Sequence, residues 1–129
     1  MMTKSELLVR SILGAVRADI RPLTHAVDIA EDLLFVQHIS MNDIRVTKDI
    51  YPQTAAKINR SIAATSRCIE RLANLCWDSL AEKELSLRYI GRALGDIRAP
   101  RDLIIYLAFY LHFGRPFFKV IADEPALIF

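Results

Sequence analysis

Two arginines one helical turn apart carry the most specific chemistry that this sequence suggests. Arg67 and Arg71 are four residues apart, so their side chains project from one face of an α-helix. Arginine can donate two hydrogen bonds to guanine O6 and N7, which contributes roughly 1–3 kcal/mol of discrimination between bases. Ser66 and Asn74 are polar residues on the same side of that helix. The spacing therefore predicts a base-reading face of Ser66, Arg67, Arg71 and Asn74.

The residues before this helix have the chemistry of phosphate contacts. Ser61 is a natural N-cap, and the first amides of the helix could hold a phosphate at the positive helix end. Lys57, Asn59 and Arg60 would contact the DNA backbone, which positions a protein without specifying a sequence. Lys48 belongs to the same basic segment and completes the predicted DNA-binding set.

Signatures of catalysis and of metal binding are missing from the sequence. The three histidines fall in different predicted helices, and none has a partner at metal-ligand spacing. There is no Cys-x-x-Cys, no His-Glu-x-x-His and no phosphate-binding glycine loop. The acidic cluster Asp28, Glu31 and Asp32 is better explained as a solvated helix face than as a cation site. We therefore expect a protein that is not an enzyme and holds no metal or cofactor.

The basic residues are concentrated in the middle of the chain. The protein has 129 residues and a net charge of +2. Residues 44–71 contain six basic and two acidic residues, a net charge of +4, whereas residues 1–40 contain four basic and five acidic residues. The total excludes a polybasic or histone-like protein. It does not exclude DNA binding, because the placement of the charges decides that interaction.

Length and composition predict one domain over residues 1–129 with a packed core. Hydrophobic residues make up 53% and charged residues 25% of the chain, which excludes disorder. No apolar run reaches the roughly 18–20 residues of a membrane span, and no signal peptide is evident, so we expect a cytoplasmic protein without a membrane partner. Cys68 and Cys76 are about 12 Å apart along one predicted helix, too far for a disulfide, and are expected to be reduced core thiols.

Hydrophobic spacing predicts an all-α fold, a compact bundle of about six helices that positions these residues. The predicted helices cover residues 5–18, 22–39, 47–58, 62–80, 85–94 and 100–112. Ser5 should cap the first helix, Pro52 should lie in the first turn of the third, and Gly95 should end the fifth. The third and fourth helices have the outline of a helix-turn-helix, whose second helix lies in the DNA major groove.

The fourth helix shows the strongest periodicity, and its spacing predicts which side is buried. The expected inner face consists of Ile62, Thr65, Ile69, Leu72 and Cys76, widened by Cys68, Leu75 and Trp77.

A tyrosine-proline segment and a tryptophan spacing resemble those of a known family. Residues 46–59, V-T-K-D-I-Y-P-Q-T-A-A-K-I-N, are similar to the I-T-K-x-x-Y-P-x-x-A-K-K-F-N segment in the C-terminal effector domain of the stage-zero sporulation response regulators. The following helix, through Trp77, aligns without a gap with that domain's recognition helix, and the similarity covers residues 5–112. The resemblance implies a transcription factor with promoter DNA, a homodimer partner and the transcription machinery as its partners.

The resemblance carries over residue by residue only in part. Arg67 matches an arginine of the family's recognition helix. The family's other arginine and the glutamate after it fall on Ala64 and Ser66, and a histidine falls on Arg71. These departures imply either a different target sequence or a loss of base reading. We expect no phospho-acceptor receiver domain, and the tail of residues 113–129 has no counterpart in the family. The positions that match around the turn are Lys57, Asn59 and Ser61.

The sequence leaves a second class of function open, a helical protein-interaction or oligomerisation module. Residues 117–129 contain seven large apolar residues, too many to remain in water without a cover. This tail either packs on the chain's own core, which we favour, or forms an interface with a partner.

Overall fold

All regular structure that the computed structural model describes, over residues 2–95 and 98–128, is helical. These residues form seven α-helices: α1 (Lys4–Leu13), α2 (Arg21–Glu31), α3 (Tyr51–Ile58), α4 (Ile62–Glu82), α5 (Ser86–Tyr89), α6 (Pro100–Phe113) and α7 (Phe117–Asp123). One π-helical segment, Asp32–Val36, directly follows α2, and a second, Val46–Ile50, directly precedes α3. Short 3₁₀-helices occur at Met41–Asp43 and Pro125–Ile128. The predicted all-α class is confirmed for the described part of the chain.

The core of the fold is built around α2 and α6. α2 contacts α1, α3, α4 and α6, and its residues Leu23, Ala26, Val27 and Ala30 have no solvent exposure. α6 contacts α1, α2, α4, α5 and α7, so most of its apolar side chains are enclosed as well. Burial of apolar surface at roughly 25 cal/mol per Å² is the main favourable contribution to such a fold.

Three side-chain hydrogen bonds, two from α4 and one from Lys83 directly after it, hold this helix against its neighbours. Ser79 Oγ and Lys83 Nζ both donate to the carbonyl oxygen of Ile12, at 2.6 Å and 3.1 Å. This carbonyl lies in the last turn of α1, where backbone oxygens lack partners within the helix. Trp77 Nε1 donates to the carbonyl of Ala99, just before α6, at 3.2 Å. One side of α4 is therefore fixed to the core.

The predicted ends of the first helix are wrong. Thr3, not Ser5, is the N-cap, because its Oγ1 accepts the Glu6 amide at 3.2 Å, and Ser5 is buried. The helix ends at Leu13 rather than near residue 18, because Gly14 follows with a φ of +74° that ends the helical backbone.

The predicted fifth helix, residues 85–94, is also wrong and spans only Ser86–Tyr89. Gly91, with a φ of +99°, turns the chain at this point, so Gly95 does not end the helix. A Cβ at Gly91 would lie 3.2 Å from the side chains of Phe118 and Pro116, which explains the glycine. Pro52 lies in the first turn of the third helix, as predicted. The helix begins at Tyr51 and not at residue 47, because the Val46–Ile50 segment before it is π-helical.

The apolar tail folds into α7 and packs on α6. Phe117 and Val120 are buried, and the Phe117 ring lies 4.6 Å from that of Tyr106 and 4.8 Å from that of Phe109. Phe129 and the side chain of Ile128 lie outside the described residues. Among the described helices, no single one is long and apolar enough to cross a membrane, and α6 and α7 meet that test only as a pair bent by 66°.

Candidate nucleic-acid interface

Two capping residues define the connection between α3 and α4. Asn59 has φ and ψ of 56° and 50°, a left-handed conformation that ends α3. Asparagine adopts it more readily than most residues with a Cβ, and the Arg60 amide donates to the Ala55 carbonyl at 3.1 Å. Ser61 Oγ accepts the Ala64 amide at 3.1 Å, so the prediction that Ser61 caps α4 is confirmed. The connection is three residues long.

The burial predicted for the inner face of α4 is confirmed at the centre of that face and is wrong for Ile62 and Leu75 at its edges. Ile62 is 52% exposed because it lies in the first turn of α4, where its neighbours Ser61 and Ala63 are exposed too. Leu75 is 39% exposed, because it lies about 80° from Arg67 around the helix, on the boundary between the two faces. The prediction of burial is confirmed for five residues of this face: Thr65, Ile69, Leu72, Cys76 and Trp77.

The two cysteines are free, as predicted, but only one is a core thiol. Cys76 is buried, and burial raises the pKa of its thiol to about 12, so the group stays protonated. Cys68 is half-buried at the edge of the outer face, with its Sγ 4.0 Å from Arg71 Nη2, so its prediction as a core residue is wrong.

The outer face of α4 presents most of the predicted base-reading residues to solvent. Arg67, Arg71 and Asn74 are exposed, and about 6 Å of helix axis separates the two arginines. Within the described residues, no carboxylate lies within 4 Å of either guanidinium. Glu70, which is exposed on the same face, therefore forms no ion pair with them. Both guanidinium groups can bind a group outside the chain.

Ser66 is less available than the other predicted base-reading residues. It is half-buried, and its hydroxyl donates to the Ile62 carbonyl at 2.7 Å. This bond returns the only donor of the side chain to the backbone of its own helix. Ser66 therefore retains only its acceptor function.

The cationic residues around the connection lie close to acids of the N-terminal segment. Asp19 Oδ2 accepts from Arg60 at 3.1 Å, and Asp19 Oδ1 accepts from Arg21 Nε at 2.9 Å. Hydrogen bonds from Arg21 and Arg60 hold the pKa of Asp19 well below its usual range. Burial raises the pKa of Asp28, a shift that the nearby charge of Lys57 opposes. Arg60 is therefore partly neutralised within the chain.

Most of the predicted site residues lie on the connection between α3 and α4 and on α4 itself. Lys57, Asn59, Arg60 and Ser61 surround the connection, and the others follow along α4. Lys48 is exposed but lies one element earlier, in the Val46–Ile50 segment. Asp19 is a partner of this site that the sequence patterns do not predict. No local pattern could have found it, because it lies 41 residues before Arg60.

The described residues contain no group of three or more His, Cys, Asp or Glu side chains that could hold a metal ion. No protein-family model, no curated protein and no solved structure matches this chain.

Proposed function

We propose that this chain is a sequence-specific, DNA-binding transcriptional regulator. In this proposal α3, the Asn59–Ser61 connection and α4 act as a helix-turn-helix, and α4 lies in the major groove. The observation that carries the proposal is the exposure of Arg67 and Arg71, one turn apart and without an acidic partner in the described part of the chain. Two arginines on one helix face that have no acidic partner among the described residues are suited to bidentate contacts with guanine.

The spacing along α4 fits successive base pairs of B-form DNA. The axial distance of about 6 Å between Arg67 and Arg71 spans roughly two base-pair steps of 3.4 Å. Asn74, nearly one turn further, can make a bidentate contact with adenine N6 and N7. Glu70 can accept a hydrogen bond from the cytosine N4 amino group, and it repels phosphate. This face would therefore read a short, mixed-sequence site.

Phosphate contacts would come from the beginning of α4 and from the lysines. The exposed first turn after Ser61 offers amide groups at the positive end of a 21-residue helix. Lys48 and Lys57 add exposed positive charge. Arg60 contributes less than its type suggests, because Asp19 already binds it. We therefore expect weak non-specific binding and a need for two copies on adjacent sites.

The resemblance of residues 46–59 to the sporulation effector domain supports a more specific version of this function. In that version the DNA is a promoter element, the protein acts in the cytoplasm as a homodimer, and the transcription machinery is a further partner. Ala64 and Ser66 replace the family's arginine and glutamate, so we expect a target sequence that differs from the family's element at the corresponding bases.

Fluorescence anisotropy with labelled duplexes tests the proposal. One duplex carries the sporulation family's promoter element, a second carries a pool of randomised sites, and a third carries a scrambled sequence. We expect Arg67→Ala/Arg71→Ala to weaken binding to the duplex that the wild-type chain binds most tightly by at least about tenfold, since each bidentate contact contributes roughly 1–3 kcal/mol. Wild-type affinity should fall by roughly 0.9 log units per log unit of salt for each neutralised phosphate.

Two further variants separate base reading from general charge. Arg67→Lys/Arg71→Lys keeps the charge and removes the bidentate geometry, so it should retain scrambled-DNA binding and lose discrimination. Lys119→Ala removes one exposed positive charge on α7 and should change affinity less than twofold. Negligible affinity for all duplexes at low salt, or an unchanged affinity of the double alanine variant, would rule the proposal out.

The described part of the tail does not favour the interaction-module alternative. The tail buries Phe117 and Val120 on the chain's own core rather than presenting them to a partner. The exposed large apolar side chains among the described residues are dispersed along the chain: Met2, Leu7, Val36, Ile62, Leu75 and Leu87. Single exposed apolar residues are normal on protein surfaces and do not indicate an interface. We therefore do not propose this function.

A further inference from the structure

An open groove with a volume of about 450 Å³ lies between α1, α5 and the C-terminal part of α6. Its apolar lining includes Leu7 and Leu8 from α1, Tyr89 from α5, and Tyr110 and Phe113 from α6. The volume falls within the roughly 300–1,000 Å³ typical of small-molecule sites. Leu7 is 54% exposed, so the described part of the chain leaves a large apolar side chain of this groove in solvent.

The charged side chains that line this groove are all basic. They are Lys4 on α1, Arg88 on α5 and, when protonated, His112 on α6. Among the described residues, no carboxylate lies within 4 Å of Lys4 or Arg88, whereas His112 Nδ1 is 3.6 Å from Glu31 Oε2. Glu6 is close in sequence, but it lies about 200° around α1 from Lys4 and interacts with Thr3.

Arg88 is held at the groove by an aromatic ring. Its guanidinium carbon lies 5.2 Å from the ring centroid of Tyr89, and the Tyr89 and Tyr110 rings are 5.0 Å apart. A cation–π contact restrains the guanidinium without neutralising its charge. The groove therefore combines an aromatic and aliphatic surface with two positive charges that have no acidic partner.

We propose that this groove binds a small amphipathic anion, a molecule with an aliphatic or aromatic body and one carboxylate or phosphate group. The body lies against Leu7, Tyr110 and Phe113, and the anionic group lies between Lys4 and Arg88. Charge complementarity favours this occupant, because a neutral apolar molecule leaves both cations unpaired and a cationic one is repelled. The site shares no residue with the DNA interface, so the two proposals stand or fall separately.

Isothermal titration calorimetry of the full-length protein tests this proposal. It uses four small-molecule probes that each have one dodecyl group, at concentrations at which each probe is monomeric. The probes are dodecanoate, dodecyl phosphate, dodecanol and dodecyltrimethylammonium. We expect saturable 1:1 binding of both anions and at least about tenfold weaker binding of the cation. Lys4→Ala/Arg88→Ala should weaken anion binding by about tenfold, because it removes both cations that face the anionic group, and should leave dodecanol binding unchanged.

Matched variants distinguish the groove from a general surface effect. Leu7→Gln should weaken all bound probes, and Lys119→Ala, on α7, should weaken none. Circular dichroism of each variant checks that the chain still folds. Vesicles of anionic phospholipid form a separate arm, which distinguishes a free anion from a lipid headgroup at a membrane surface.

Three results would overturn the proposal. The first is equal affinity for dodecyltrimethylammonium and dodecanoate, because the basic lining would then not select the ligand. The second is binding of vesicles without saturable binding of the monomeric anions. The third is concentration-dependent association of the chain that Leu7→Gln abolishes, without binding of any probe, because the groove would then be covered by a second copy.

Discussion

At the scale of single residues, Asp19 determines how much of the basic segment is available to a ligand. Its carboxylate accepts hydrogen bonds from Arg21 and from Arg60, so one of the six basic residues of the segment 44–71 is already paired. Arg67 and Arg71 have no such partner among the described residues. The difference between Arg60 and these two arginines is therefore one of neighbours and not of residue type.

Asp19→Asn tests this ion pair. Because the folded-state pKa of Asp19 is lowered, its charge stabilises the folded chain above the usual pKa of about 3.9, and this contribution is lost as the pH falls below it. We expect the variant to lower the free energy of unfolding by about 0.5–1 kcal/mol at pH 7, with the difference shrinking towards pH 2. Urea titrations at both pH values measure this.

Asp78→Asn is the matched control for that prediction. Asp78 is 65% exposed at 4.0 Å from Arg98, so its removal should change stability by less than about 0.3 kcal/mol. A loss of stability in Asp19→Asn that persists undiminished at acid pH would show that the carboxylate acts through something other than its charge.

At the scale of elements, the left-handed residue between α3 and α4 sets how the two helices meet. Asn59 ends α3 with a positive φ, and Ser61, two residues later, caps α4. Any residue with a Cβ pays roughly 1–2 kcal/mol for this conformation, which asparagine partly offsets and glycine avoids. The connection is therefore a local device, and the α4 face depends on it for its direction.

Substitutions at Asn59 test that dependence. Asn59→Ala should lower the free energy of unfolding by about 1 kcal/mol, whereas Asn59→Gly should be close to neutral. Thermal and urea unfolding of the two variants measure the difference. Equal stability of the alanine and glycine variants would mean that Asn59 does not hold the left-handed conformation in solution.

The π-helical segments show where pattern-based prediction of elements stops. Hydrophobic spacing predicts one helix over residues 22–39, but α2 ends at Glu31 and Asp32–Val36 winds as a π-helix. The Phe35 ring lies there, 4.1 Å from the His112 ring and 5.1 Å from the Phe109 ring. A π-helical turn contains about one residue more than an α-helical turn, which hardly alters the apolar pattern of the sequence. Only packing against α6 therefore distinguishes an α-helix from a π-helix here.

At the scale of the whole molecule, the segment after Gly114 is part of the core. Phe117 and Val120 are buried, the Phe118 amide donates to the Ile90 carbonyl at 3.1 Å, and Arg92 lies 4.0 Å from the centroid of the Phe118 ring. These contacts join α7 to α6 and to the chain around Gly91. Removing the segment would expose the aromatic cluster of α6.

A chain that ends at Gly114 tests this role. We expect it to lose roughly 3–5 kcal/mol of unfolding free energy, since burying each large apolar side chain contributes about 1.5–3 kcal/mol. Phe117→Ala in the full chain should lose about 3–5 kcal/mol through the cavity it leaves. Thermal unfolding and light scattering measure both variants. Unchanged stability and mass after truncation would remove the tail from the core.

The sequence by itself determined the features of this protein that depend on local chemistry. The all-α class follows from apolar spacing, and the beginning of α4 follows from the capping serine Ser61. The buried centre of α4 and the exposure of Arg67 and Arg71 follow from the helical repeat. Each of these depends on residues within a few turns of one another, so a linear pattern contains the relevant interactions.

Only the tertiary structure decided which of these residues have neighbours from elsewhere in the chain. It placed Asp19 beside Arg60, left Ile62 in solvent at the first turn of α4, and assembled the groove at Leu7 from three helices. It also shortened α5 to Ser86–Tyr89, where Gly91 packs against Phe118. The physical reason is that solvation, charge pairing and packing depend on distances in space, which residues far apart in sequence determine together.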